Sequence, residues 1–143
     1  MGRILAIDYG KRRTGLAVTD PLRIIAGGLT TVDTPKLWDY LTAYVAREQV
    51  DTIVIGMPTQ MSGEASENQK NIIPFINRWK KNFPTIPIVE YDERFTSVLA
   101  HRTMLDAGLG KMARRNKALV DEISATIILQ DYMESLRMTE GQS

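Results

Sequence analysis

The stretch Ile4-Leu5-Ala6-Ile7-Asp8-Tyr9-Gly10-Lys11 decides the reading of the fold. A short apolar run ends on an acid and a glycine turn, the signature of a buried strand. Thr14 to Thr19 reads as a second strand. The connection has hairpin length, so the two pair antiparallel. Asp20-Pro21 turns the chain, and Ile24 to Val32 supplies a third strand, bent at Gly27-Gly28. The pattern then changes period. Thr34 as N-cap and Pro35 at the first position open a helix, followed by Leu37, Trp38, Leu41, Tyr44 and Val45 at helical spacing. Thr52 to Gly56 is a continuous apolar strand, and Met57 to Ser66 a polar loop. A helix over Ser66 to Asn82 contains Pro74, which threatens to kink or split it. Ile86 to Tyr91 is a fifth strand. A helix from Thr96 to Asp106, a loop from Gly108 to Lys117 and a last helix from Ala118 to Arg137 follow, with Thr139 to Ser143 as a flexible polar tail.

A three-stranded meander followed by helix–strand–helix–strand is an α/β plan. Right-handed crossovers bring the fourth and fifth strands beside the first, which predicts a five-stranded mixed sheet in the order 3-2-1-4-5. The 143 residues suit one domain, set here at 1–138, with 139–143 as the tail. The chain is 43% hydrophobic and 24% charged with a net charge of +1, so any basic surface must be local. It holds no cysteine and a single histidine, His101. That excludes a disulfide scaffold, a thiolate zinc site and a multi-histidine cage. Any metal must sit among oxygen ligands, which favours Mg2+ or Mn2+. No apolar run approaches the roughly 20 residues of a membrane helix, and the N-terminus lacks the features of a signal peptide. A cytoplasmic protein is the default expectation.

Asp8 ends a strand expected to be central, and in such sheets ligand-handling groups gather at strand ends. An aspartate there serves a turn equally well. Asp92-Glu93-Arg94 follows the fifth strand, whose carboxyl end shares an edge with that of the first. Asp121, near the start of the last helix, shares a stripe with Ala125, Ile128, Leu129, Tyr132 and Leu136. A carboxylate on a sheet-facing side is costly unless paired or metal-bound, although the dipole at a helix start also favours an acid. Ser124 and Ala125 are small enough to let that helix approach closely, and Glu122 reads as the solvated neighbour. Three carboxylates from separate elements match the needs of a two-magnesium phosphodiesterase. Basic residues adjoin each acid: Lys11-Arg12-Arg13, Arg94, and Lys111, Arg114, Arg115 and Lys117. Phosphate contacts are expected around such a site, and a solvated surface is the alternative for any one cluster. His101 reads as a surface residue. Trp38, Trp79, Phe75 and Phe83 fit helix faces packed on the sheet, not platforms for bases.

Ile7-Asp8-Tyr9-Gly10-Lys11-Arg12-Arg13-Thr14-Gly15-Leu16-Ala17, Val54-Ile55-Gly56-Met57-Pro58, Tyr91-Asp92-Glu93-Arg94-Phe95-Thr96 and Asp121-Glu122-Ile123-Ser124-Ala125-Thr126-Ile127-Ile128-Leu129 occur in this order. Together they resemble the YqgF (RuvX) family of bacterial pre-16S rRNA nucleases, also called Holliday junction resolvases. The likeness spans Ile4 to Glu134. It implies a ribonuclease-H-like fold and cytoplasmic processing of the 5′ end of 16S rRNA, with precursor rRNA or the pre-ribosome as partner. It also implies Asp8, an acid of Asp92-Glu93 (Glu93 favoured) and Asp121 as catalytic, metal-holding carboxylates. Lys11, Arg12, Arg13, Arg94, Arg114 and Arg115 become the expected substrate contacts. Two departures are Ser124-Ala125, where the family often has two alanines, and a thinner basic loop around Met112-Ala113. Rival readings are a resolvase of DNA junctions, a nucleic-acid-binding protein with little catalysis, and an actin-like ATPase. The chain is too short for the last.

Overall fold

The computed structural model describes residues 2–57, 69–92 and 117–141, with the backbone path alone for 92, 117–120 and 138–141. One sheet contains β1 (Arg3–Asp8), β2 (Arg13–Thr19), β3 (Ala26–Asp33), β4 (Val50–Met57) and β5 (Ile88–Asp92) in the order β3-β2-β1-β4-β5. β1, β2 and β3 form the antiparallel meander, and β4 and β5 run parallel to β1. This is the order predicted from the handedness of the crossovers, and it agrees with the ribonuclease-H-like expectation. The described helices are α1 (Leu37–Arg47), α2 (Gln69–Asn82) and α3 (Lys117–Gly141). None of them is long and apolar enough to cross a membrane.

Both faces of the sheet are covered, which is why β1 and β4 read as unbroken apolar runs. Leu5 and Ile7 of β1 join Leu37, Leu41, Ile72, Ile76 and Trp79 in a core on the α1/α2 face. Ile4 and Ala6, alternating with them, pack with Ala125, Ile128 and Leu129 of α3 on the other face. Trp79 is fully buried, and its indole N–H donates to the Ile86 carbonyl at 3.1 Å. Its ring stacks on Phe83 at 4.2 Å between centroids. Trp38, Phe75 and Phe83 pack half-buried against the same cluster, as the helical spacing predicts.

Local details depart from the sequence reading for identifiable reasons. Leu16 pairs with Thr30 and Ala17 with Gly28, so Leu29 forms a bulge beside the predicted glycine bend. Thr34 does not cap α1. It opens a 3-10 turn, Thr34–Lys36, without a side-chain cap bond, and its hydroxyl donates to the Gly10 carbonyl at 2.6 Å. Since that proton is used, Thr14 donates in the 3.0 Å contact between the two threonine hydroxyls. Pro74 sits within α2 without dividing it. No glycine or proline interrupts the chain from Lys117 to Glu140, and α3 continues to Gly141. Residues 139–141, predicted as tail, are therefore helical. Met57, predicted to open a loop, ends β4, and Lys117, predicted to close one, begins α3; the rest of those two loops, over 58–66 and 108–116, and the helix predicted over 96–106 lie outside the described residues.

The Asp20–Ile25 turn is fastened to the sheet by charge. Asp20 accepts from the backbone N–H groups of Ile24 and Ile25, and Arg23 adopts a left-handed φ of 59°. From there the Arg23 guanidinium reaches Asp51 at 2.6 Å and the Gly2 carbonyl at 3.0 Å. The Gly2 N–H and then Arg23 hold the Asp51 carboxyl below its ordinary range. A depressed folded pKa stabilises the protein above the unfolded value of about 3.9 and ceases to do so as pH falls through the folded pKa. Asp51→Asn should therefore lower the melting temperature at neutral pH, and the gap to the parent should narrow as pH falls below the unfolded value of about 3.9 and through the lower folded one. A gap unchanged by acid would contradict the assigned contact.

Candidate active site

Because β1, β4 and β5 are parallel, their carboxyl ends share one edge of the sheet, where α/β proteins place ligands. Asp8 is the last residue of β1 and pairs with Gly15 of β2. Strand alternation places Asp8 on the face of Ile4 and Ala6, the face covered by α3. Gly15 lies on the same face by the same rule, two residues from Ala17. There α3 approaches so closely that a Cβ on Gly15 would overlap the Asp121 carbonyl. Asp8 and Asp121 thus flank one glycine, on one face, at one edge. The buried Ser124 and Ala125 keep this contact close, and the stripe from Asp121 through Ala125, Ile128 and Leu129 is the one that packs on the sheet. Glu122, expected in solvent, is half-buried and packs near Gly28.

Arg13, expected to contact substrate, makes an ion pair with Asp121: Nε lies 3.3 Å from Oδ2, with the side chains 40% and 27% exposed. An ion pair this accessible adds little stability. Its effect is local, since it orients the carboxylate and places positive charge beside it. Lys11 and Arg12 are exposed in the turn after Asp8. The Thr34 backbone N–H donates to the Arg12 carbonyl at 2.9 Å, and its hydroxyl holds Gly10, so the base of this turn is fixed. Glu93, Arg94, Arg114, Arg115 and His101 lie outside the described residues. Glu93 follows Asp92, which pairs with Met57 at the end of β5. Among the described residues no group of three histidines, cysteines or acids gathers as a metal cage. Asp8 and Asp121 supply two sets of oxygen donors, suited to a hard cation.

The sequence reading passed over Tyr9. Strand alternation could have found it, because the residue after Asp8 must face α2 instead of α3. Its half-buried ring lies 5.7 Å from that of Phe75, and burial pushes its phenol pKa up.

A family model described as RuvX, Holliday junction resolvase, matches residues 2–135. The chain is 64% identical to a protein of Bacteroides thetaiotaomicron, over 96% of this chain and 99% of that one. It is 62% identical to one of Bacteroides fragilis, over 96% and 100%. It is 53% identical to one of Flavobacterium johnsoniae, over 96% and 99%. All three relatives are named "Putative pre-16S rRNA nuclease".

Proposed function

The chain belongs to the RuvX family, and from that premise we propose that it is a metal-dependent nuclease that trims the 5′ end of precursor 16S rRNA in the cytoplasm. The observation that supports this reading is that Asp8 pairs with Gly15 while the Asp121 backbone of α3 lies against the same glycine. Glu93 is the third carboxylate.

Asp8, Glu93 and Asp121 hold Mg2+ or Mn2+, which supplies Lewis-acid activation of the phosphodiester and of the attacking water. The carboxylates fit a hard cation, and the chain has no thiol and one imidazole to offer a softer one. Arg13 orients Asp121 through its guanidinium contact. Lys11, Arg12, Arg94, Arg114 and Arg115 bind substrate phosphates and set the register of the strand. Water adds to phosphorus, and the scissile P–O bond breaks.

The assay is cleavage of precursor 16S rRNA beside a four-way DNA junction, in Mg2+, in Mn2+ and in EDTA. RNA should be cut only with metal present, and cleavage in EDTA would contradict the mechanism. Preferential cutting of the junction would favour the second reading, resolution of DNA junctions, for which the family's description argues.

A further inference from the structure

The edge that presents Asp8 on the α3 face presents a groove on the α2 face. Two adjoining cavities, of about 310 and 580 Å3, share Tyr9, Asn71 and Pro74. The first is aromatic, lined by Tyr9, Trp38 and Phe75 with Arg78. The Arg78 guanidinium lies 3.9 Å from the centroid of the Trp38 ring. The second is cationic, flanked by Lys11 and Lys70. Among the described residues no acid lines either cavity. α2 itself carries Lys70, Arg78, Lys80 and Lys81 and no acidic residue. Lys70, Pro74, Arg78 and Lys81 fall at i, i+4, i+8 and i+11, one exposed stripe down the helix.

We propose that this groove binds an unpaired nucleic-acid strand, the flank of the substrate next to the scissile bond. The inference rests on the nuclease reading of the chain and adds to it a strand-binding site away from the metal. A base extends the Trp38–Arg78 stack, and its neighbouring phosphates meet Lys11 and Lys70. Aromatic rings beside cations are what a single strand needs, because its bases are free to stack. A duplex hides its base faces, and an acidic peptide has no use for the rings. Each cavity is of a size that holds a small ligand. Tyr9 links groove to site: it lines both cavities and follows Asp8 in the chain, so a strand passing over its ring arrives at the carboxylates. Trp38, expected only to pack, then has a second role, while Trp79 remains fully buried.

The test is fluorescence anisotropy of a fluorescein-labelled single-stranded RNA in EDTA, where binding is read without cleavage. The double variant Lys70→Ala/Arg78→Ala should bind about 5- to 150-fold more weakly, the range of one lost base stack. Its log affinity should depend less steeply on log salt, by about 0.7 for each lost phosphate contact. Circular dichroism and melting temperature check that the double variant is folded. RNA should also quench the tryptophan emission of the parent, and Trp38→Phe should remove that quenching. Parent-like affinity and salt slope in the folded double variant would overturn the proposal. So would equal competition by an RNA duplex or by polyglutamate. Binding and cleavage are separate readouts, so loss of one reading leaves the other decidable.

Discussion

Asp8→Asn should abolish metal-dependent RNA cleavage and leave the fold standing. Asparagine keeps the shape of aspartate, so the β1–β2 ladder and the core beneath it are undisturbed. Asp8 itself lies half-exposed at the strand end, beyond the buried run Ile4–Ile7. The variant loses a negative charge and one anionic oxygen donor. Lewis-acid stabilisation is worth several kcal/mol in the transition state, and each 1.4 kcal/mol is a factor of ten in rate. A loss of about a thousand-fold or more in kcat is expected, with a melting temperature close to the parent's in EDTA. Cleavage within a factor of a few of the parent would remove Asp8 from the chemistry.

Gly15→Val should cost both stability and activity. The obstacle is backbone: a Cβ at position 15 meets the Asp121 carbonyl and its Cα-side neighbours, and no rotamer change relieves that. α3 must lift from β2, opening the seam packed by Ser124 and Ala125. Overpacking of this kind costs about 1–3 kcal/mol. The displacement moves Asp121 away from Asp8, and a shift of about 1 Å in a catalytic group costs on the order of a hundred-fold in rate. The parent and Gly15→Val should therefore differ in denaturant midpoint and, more severely, in cleavage at a temperature where both are folded. Full activity in a folded Gly15→Val protein would mean that the close seating of α3 over β2 does not position the site.

Much of the architecture was legible because it rests on local periodicity. Apolar runs at Ile4–Ile7 and Thr52–Gly56, the hairpin-length connection between the first of them and β2, and the handedness of crossovers suffice for the sheet order. The stripe that begins at Asp121 identified the face of α3 that meets the sheet. What escaped was decided by tertiary contacts. Thr34 has the chemistry of a cap, but Gly10 and Thr14 compete for its hydroxyl and win. Arg13 reads like its neighbours Lys11 and Arg12, yet among the described residues it alone of the three finds an acid, on a helix 108 residues away in sequence. The bulge at Leu29 depends on pairing with β2, and the groove at Tyr9 on the packing of α2 against the first hairpin. The end of α3 escapes for a local reason: Thr139 and Glu140 are polar enough to resemble a tail, although the first helix-breaking residue is Gly141.

The proposed metal centre joins Asp8 and Asp121 across Gly15. Its most direct test is anomalous diffraction from crystals soaked in Mn2+ with a non-cleavable RNA strand bound. An ion ligated by carboxylate oxygens of both Asp8 and Asp121 is the expected result. Saturating Mn2+ with no ion between them, or an ion that persists there in Asp8→Asn, would contradict it.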